Sequence, residues 1–111
     1  MGVRVIRIDE DERPPGFKRS TFGLKHLEAL VEAPVEELIA ALEKNALLCD
    51  QVMNQSGDKR YTPSTFIQKV DGTFRVGWFD NQYRAVRTFS RREWAVADYL
   101  LFSFGKGRLR T

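Results

Sequence analysis

The 111-residue chain predicts an α+β fold: an antiparallel sheet of three to four strands, a C-terminal helix packed on one face, and an N-terminal pair of helices. Three observations carry this expectation. Two β-rich runs, Thr65–Val70 and Thr73–Phe79, flank Asp71-Gly72, a strong two-residue hairpin signal. Ser90-Arg-Arg-Glu93 has capping-box spacing and precedes a stripe at Trp94, Ala97, Leu101 and Phe104, widened by Leu100. Upstream, two amphipathic stretches are separated by Ala33-Pro34, where a helix would be interrupted.

Taken in order, Val3-Arg-Val-Ile-Arg-Ile8 reads as a strand that pairs with an edge of the later sheet. Asp9-Glu-Asp-Glu12 and Arg13-Pro-Pro-Gly16 form a loop, because adjacent carboxylates repel and proline lacks the amide donor. Calcium loops space their ligands and supply a late Glu, which this run does not, so no metal is expected. Ser20 or Thr21 caps a first helix ending near Glu32, with Leu24, Leu27, Leu30 and Val31 on one face. Pro34 suits the first position of a second helix, and Glu36 and Glu37 suit its positive N-terminal end. Val35, Leu38, Ile39, Leu42 and Ala46 continue that helix toward Cys49, and Asn54-Gln-Ser-Gly-Asp58 is a polar linker.

With Asp71-Gly72 as the whole loop, Val70 faces Thr73, Ile67 faces Val76 and Thr65 faces Trp78. The turn needs positive φ, which Gly adopts freely and Asp tolerates. One face then carries Ile67, Phe74, Val76 and Trp78, and the other Gln68, Arg75 and Gly77, so the sheet is half buried. A third strand, Arg84–Phe89, follows Asp80-Asn-Gln-Tyr83. A two-residue loop sets Trp78 opposite Ala85 and a three-residue loop sets it opposite Val86. The two registers put opposite faces of the third strand on the core, and the residues leave both open. The last helix lays its aromatic stripe on the Phe74, Val76 and Trp78 face and ends at Gly105 in the left-handed conformation.

Length sets a single domain over residues 1–111, and 42% hydrophobic with 30% charged residues is ordinary for a globular protein. There is no run of roughly 20 apolar residues, no secretory pattern, and one cysteine, so a cytoplasmic protein without disulfides or membrane contact is expected. Charge is unevenly placed. Residues 58–111 hold eleven Lys and Arg against five Asp and Glu, a balance of +6, whereas residues 1–57 stand at −3. Such a half either steers toward an acidic partner or nucleic acid, or is a solvated arginine-rich sheet face.

Chemistry-bearing motifs are scarce. His26 has no second ligand at metal spacing, and Cys49 lies in an apolar run as a small buried group. No serine has a nucleophile-elbow setting, no paired carboxylates stand out, and Gly105-Lys-Gly107 is a helix end before a basic tail. The chain therefore reads as a non-enzyme without cofactor, metal or small-molecule substrate. A winged helix-turn-helix needs a basic second helix, but this one carries Glu36, Glu37 and Glu43 against Lys44. Aromatics interleaved with arginine (Phe74, Arg75, Trp78, Tyr83, Arg84, Arg87) suit either a stacking platform for RNA or single strands or a core with a solvated face. Alternation puts Phe74 and Trp78 in the core, while Phe66 and Phe79 fall on the wetter side beside arginines, as a protein–protein hot spot requires.

Gly72 to Leu101 resembles the C-terminal part of small immunity proteins of bacterial polymorphic and contact-dependent toxin systems. The resemblance lies in Phe74-Arg-Val-Gly-Trp-Phe79, the charged turn Asp80-Asn-Gln-Tyr83, Phe89-Ser-Arg-Arg-Glu-Trp-Ala95 and Tyr99-Leu-Leu101. The turn departs from the Glu-Arg-Gly frequent in such families, and the basic half suits an acidic toxin surface or a non-nuclease toxin. The resemblance implies an antitoxin that binds a cognate toxin domain and blocks its active site sterically. Arg75, Phe79, Asp80, Asn81, Tyr83, Arg84 and Arg87 are its expected contact surface, with Tyr83 as the anchor. The rival expectation is an RNA- or single-strand-binding module on the same basic sheet.

Overall fold

The computed structural model describes residues 4–6, 14, 16–17, 25–56 and 63–110. The Ser20 or Thr21 cap, Leu24, the acidic run Asp9–Glu12 and the side chains of His26 and Leu27 lie outside the described residues. The elements are β1 (Arg4–Ile6), α1 (Lys25–Glu32), α2 (Val35–Glu43), α3 (Ala46–Ser56), β2 (Ser64–Val70), β3 (Thr73–Phe79), β4 (Tyr83–Phe89), α4 (Arg92–Ser103) and β5 (Arg108–Arg110). The architecture is α+β: an antiparallel sheet in the order β2-β3-β4, with α4 packed on it and the earlier helices packed around α4.

The stretch expected as one helix from Pro34 toward Cys49 is two. Pro34 is the N-cap of α2 rather than its first residue, with φ −54° and ψ 146°. Between α2 and α3 the chain turns at Lys44 and Asn45, and Asn45 Oδ1 accepts the Leu48 amide at 3.1 Å. A short polar side chain that satisfies a free helix-end donor restarts the helix there. Both segments keep their apolar sides inward, burying Leu38, Ile39, Leu42, Leu48, Cys49 and Val52. α3 also runs through Asn54 to Ser56, part of the expected linker.

α4 is the centre of the molecule. Every residue from Ala95 to Phe104 is buried, so it is not the one-sided helix its stripe predicts. Sheet, helices and β5 all pack against it, leaving it no solvent side. The capping box does not form. The N-cap is Arg91, with no side-chain cap, and Glu93 lies instead beside Arg92 at 3.4 Å. Starting the helix one residue later moves Glu93 a position too near the end to reach back to the cap amide. The C-terminus behaves as expected. Gly105 has φ 70°, its amide bonds Phe102 O at 3.0 Å, and the Lys106 amide bonds Leu101 O at 2.8 Å, the two bonds of a Schellman motif.

Arg108 to Arg110 are not a free tail. β5 pairs antiparallel with β1 in a separate two-stranded sheet, where β1 was expected on an edge of the main sheet. What holds β5 in place is Arg108, fully buried and bound to the equally buried Asp98 of α4. Its Nε reaches both Asp98 oxygens at 3.0 and 3.1 Å, and Nη2 reaches Oδ2 at 2.7 Å. The same guanidinium lies 4.2 Å from the Phe102 ring centroid. Phe102 in turn stacks on Phe17 and joins Trp78 in a second apolar cluster. Trp78 Nε1 is buried there without a hydrogen-bond partner among the described residues.

Candidate interaction surface

The β2–β3 hairpin has the expected register, with Val70 opposite Thr73, Ile67 opposite Val76 and Thr65 opposite Trp78. Asp71 and Gly72 take φ of 50° and 79°, as the two-residue turn requires. The register divides the sheet into two faces. Ile67, Val76 and Phe89 belong to the core under the helices, whereas Phe66, Gln68, Arg75, Gly77 and Phe79 point to the opposite, open face.

The next connection matches neither expected register throughout. Asp80, Asn81 and Gln82 form a three-residue loop, with Asn81 at φ 75°, and Trp78 lies opposite Arg84. One pair further on, the register shifts, so that Val76 meets Arg87 and Phe74 meets Phe89. A β-bulge at Ala85, with φ 53°, absorbs the extra residue. Gly77 is the residue facing it. A Cβ there would lie 2.8 Å from Arg84 O and 3.1 Å from both Val86 Cα and Phe66 Cε2. Only glycine lets the bulged strand and the Phe66 ring come so close. Arg108 completes the bulge from behind, donating Nη1 to Ala85 O at 2.9 Å and Nη2 to Val76 O at 3.3 Å. Carbonyls disturbed by the bulge thus find a buried donor.

The bulge decides where the predicted contact residues go. Before it, Tyr83 stands opposite Phe79 on the open face, 50% exposed. Phe66 lies against Tyr83 edge-on at 5.2 Å, Phe79 is tilted against it at 5.1 Å, and the Arg75 guanidinium stands 5.1 Å over the ring. Gln68 Nε2 donates to the Tyr83 hydroxyl at 3.2 Å. Arg75, Phe79 and Tyr83 therefore converge. Asp80 and Arg84 pair at the loop, with Nε 2.9 Å from Oδ2, and Asn81 sits exposed at its tip. Arg87 does not join them. Past the bulge it lies on the other face, donating Nη1 to Leu109 O at 2.6 Å.

Phe66 and Gln68 are members that the sequence-based surface omits. The alternation puts Phe66 on the wetter side, yet it is 6% exposed, because the missing side chain of Gly77 leaves room for its ring. The signal was available, since the hairpin register sets Phe66 opposite Gly77 and an aromatic beside a strand glycine fills that gap. Among the described residues no three His, Cys, Asp or Glu side chains gather as a metal site. Cys49 is buried 3.6 Å from Leu42 O, and desolvation lifts its thiol pKa above the ordinary value. No helix among the described residues is long and apolar enough to cross a membrane.

No family model, curated protein or solved structure matches this chain.

Proposed function

We propose that this protein is an immunity-type inhibitor, which binds a domain of a partner protein through the open sheet face and the Asp80–Arg84 loop and covers its active site. One observation carries the reading: Tyr83 is half exposed yet held on several sides. Its aromatic neighbours contribute about 0.5–1.5 kcal/mol each, and the Arg75 contact about 0.5–1 kcal/mol. A ring already fixed loses little side-chain freedom on binding, which is the property of an interface anchor. The Asp80–Arg84 pair is partly buried at the edge of this face and belongs to a rim, where charge sets association rate and discrimination more than affinity. The basic balance of the C-terminal half favours an acidic partner surface.

The same geometry disfavours nucleic acid at this face. A base stacking on Tyr83 would compete with the Arg75 guanidinium, which already stands over one face of the ring. Capture of partners from the source organism, with and without nuclease, tests the reading. One stoichiometric protein that survives nuclease and raised salt supports it, and a diffuse set lost on nuclease treatment refutes it. In titrations with that partner, Tyr83→Ala is expected to weaken binding by about 2 kcal/mol or more, beyond any single arginine change. An equal or greater loss for Arg84→Ala would overturn the anchor assignment.

A further inference from the structure

The outer edge of β4 offers a second surface. β4 is the last strand in the order β2-β3-β4, and among the described residues nothing pairs with its far side. An uncovered edge presents a row of amide and carbonyl groups whose natural complement is another backbone. Beside it runs a shallow groove of about 330 Å³ lined by Arg87, Thr88, Phe89, Leu109 and Arg110. Phe89 and Leu109 are buried and make it partly apolar, while Thr88 and Arg110 are exposed at its mouth.

The neighbouring ribbon adds an independent observation. β1 and β5 set Arg4 directly opposite Arg110, both exposed, and neither has an acidic partner among the described residues. Side chains directly opposite have Cβ atoms about 4.5–5.5 Å apart, and like charges there oppose pairing. A carboxylate placed between the two guanidinium groups would turn that repulsion into attraction.

We propose that the β4 edge takes up an extended, acidic segment of a partner protein as an added strand, with its carboxylates on Arg110 and Arg4. This rests on the protein-binding reading above but uses the Arg87–Phe89 end of the β4 edge, at the far end of the strand from Tyr83. Charge selects the occupant. A second copy of this chain would bring β4 itself, whose sequence holds Arg84 and Arg87 and no acid, against the same basic groove. A nucleic acid would satisfy the arginines but offer no strand to the open edge. An acid-rich peptide satisfies both.

The test uses the full chain and a blocked eight-residue peptide alternating Val and Glu, followed by fluorescence anisotropy at physiological salt. The peptide is expected to bind and to slow hydrogen exchange of β4 amides. Its Gln counterpart and the Arg110→Glu variant are each expected to weaken binding about tenfold or more. A peptide methylated on alternate backbone nitrogens is expected to lose binding, since it cannot extend a sheet. Arg4→Gln provides a second variant should Arg110→Glu disturb the amide spectrum. No binding, equal affinity for the Gln or methylated peptide, or tighter binding of an oligothymidylate of equal charge would overturn the proposal. The slowed exchange is expected at β4 amides from Val86 to Phe89. Slowing confined to the Asp80–Tyr83 loop would place the peptide beside Tyr83 and overturn the separate edge site, whereas failure of Tyr83→Ala to weaken the native partner overturns only the anchor reading.

Discussion

Removing Arg108 or Asp98 alone is expected to be among the most damaging changes in this protein. Both side chains are fully buried, so Arg108→Met strands a carboxylate, and Asp98→Leu strands a guanidinium, away from water. Breaking one partner of such a pair costs about 3–5 kcal/mol, a large share of the roughly 5–15 kcal/mol that stabilises a domain. In many buried pairs, replacing both partners by apolar residues is nearly neutral. Here that rescue is expected to be incomplete, because the pair also serves the backbone. Arg108 donates to Ala85 O and Val76 O, and the Leu109 amide donates to Asp98 Oδ1 at 2.8 Å. Asp98→Leu/Arg108→Met would leave these three groups without their partners, at about 1–3 kcal/mol for each that stays dry. We therefore expect the double variant to recover part of the single-variant loss and still lie about 2 kcal/mol or more below the parent. Urea unfolding followed by tryptophan fluorescence supplies the four free energies of the cycle. Single losses below about 1.5 kcal/mol, or a double variant as stable as the parent, would refute the reasoning.

Gly77→Ala is expected to cost about 1–3 kcal/mol, since its methyl group would meet Arg84 O at 2.8 Å and backbone cannot swing aside; a loss under about 0.5 kcal/mol in the same assay would count against the close packing at the bulge. Cys49 is expected to react with an aromatic disulfide reagent only when the fold opens, its labelling rate rising with urea in step with the unfolded fraction. Its raised pKa also fixes a sign: the native state holds the thiol proton longer than the unfolded chain. Stability from this group is thus complete below the unfolded thiol value of about 8.5 and falls as pH rises past it. Comparing the pH slopes of the parent and Cys49→Ala checks this, and identical slopes would sink it.

Features governed by neighbours in the chain were legible in advance. Asp71-Gly72 determines both the β2–β3 turn and its register, because a two-residue loop leaves one pairing and backbone conformation there is a property of two residues. Gly105 likewise ends α4 through bonds made within its own last turn. Asn45 illustrates the limit of local reading, since the apolar stripe from Leu38 to Cys49 continues across the break and periodicity alone does not reveal the cap.

The site depended on distant parts of the chain. The face on which Arg87 lies follows from a bulge at Ala85, which is made possible by Gly77 on one neighbouring strand and completed by Arg108 from the C-terminus. No local pattern marks Arg108 as buried: an arginine near a chain end reads as solvated until Asp98, two strand carbonyls and the Phe102 ring surround it. Local conformational preference therefore determined the Asp71-Gly72 turn, the helix end and the α+β class. Which polar groups lie buried and which face carries Arg87 were decided only in three dimensions, because desolvation and hydrogen-bond satisfaction are set by groups far apart in sequence.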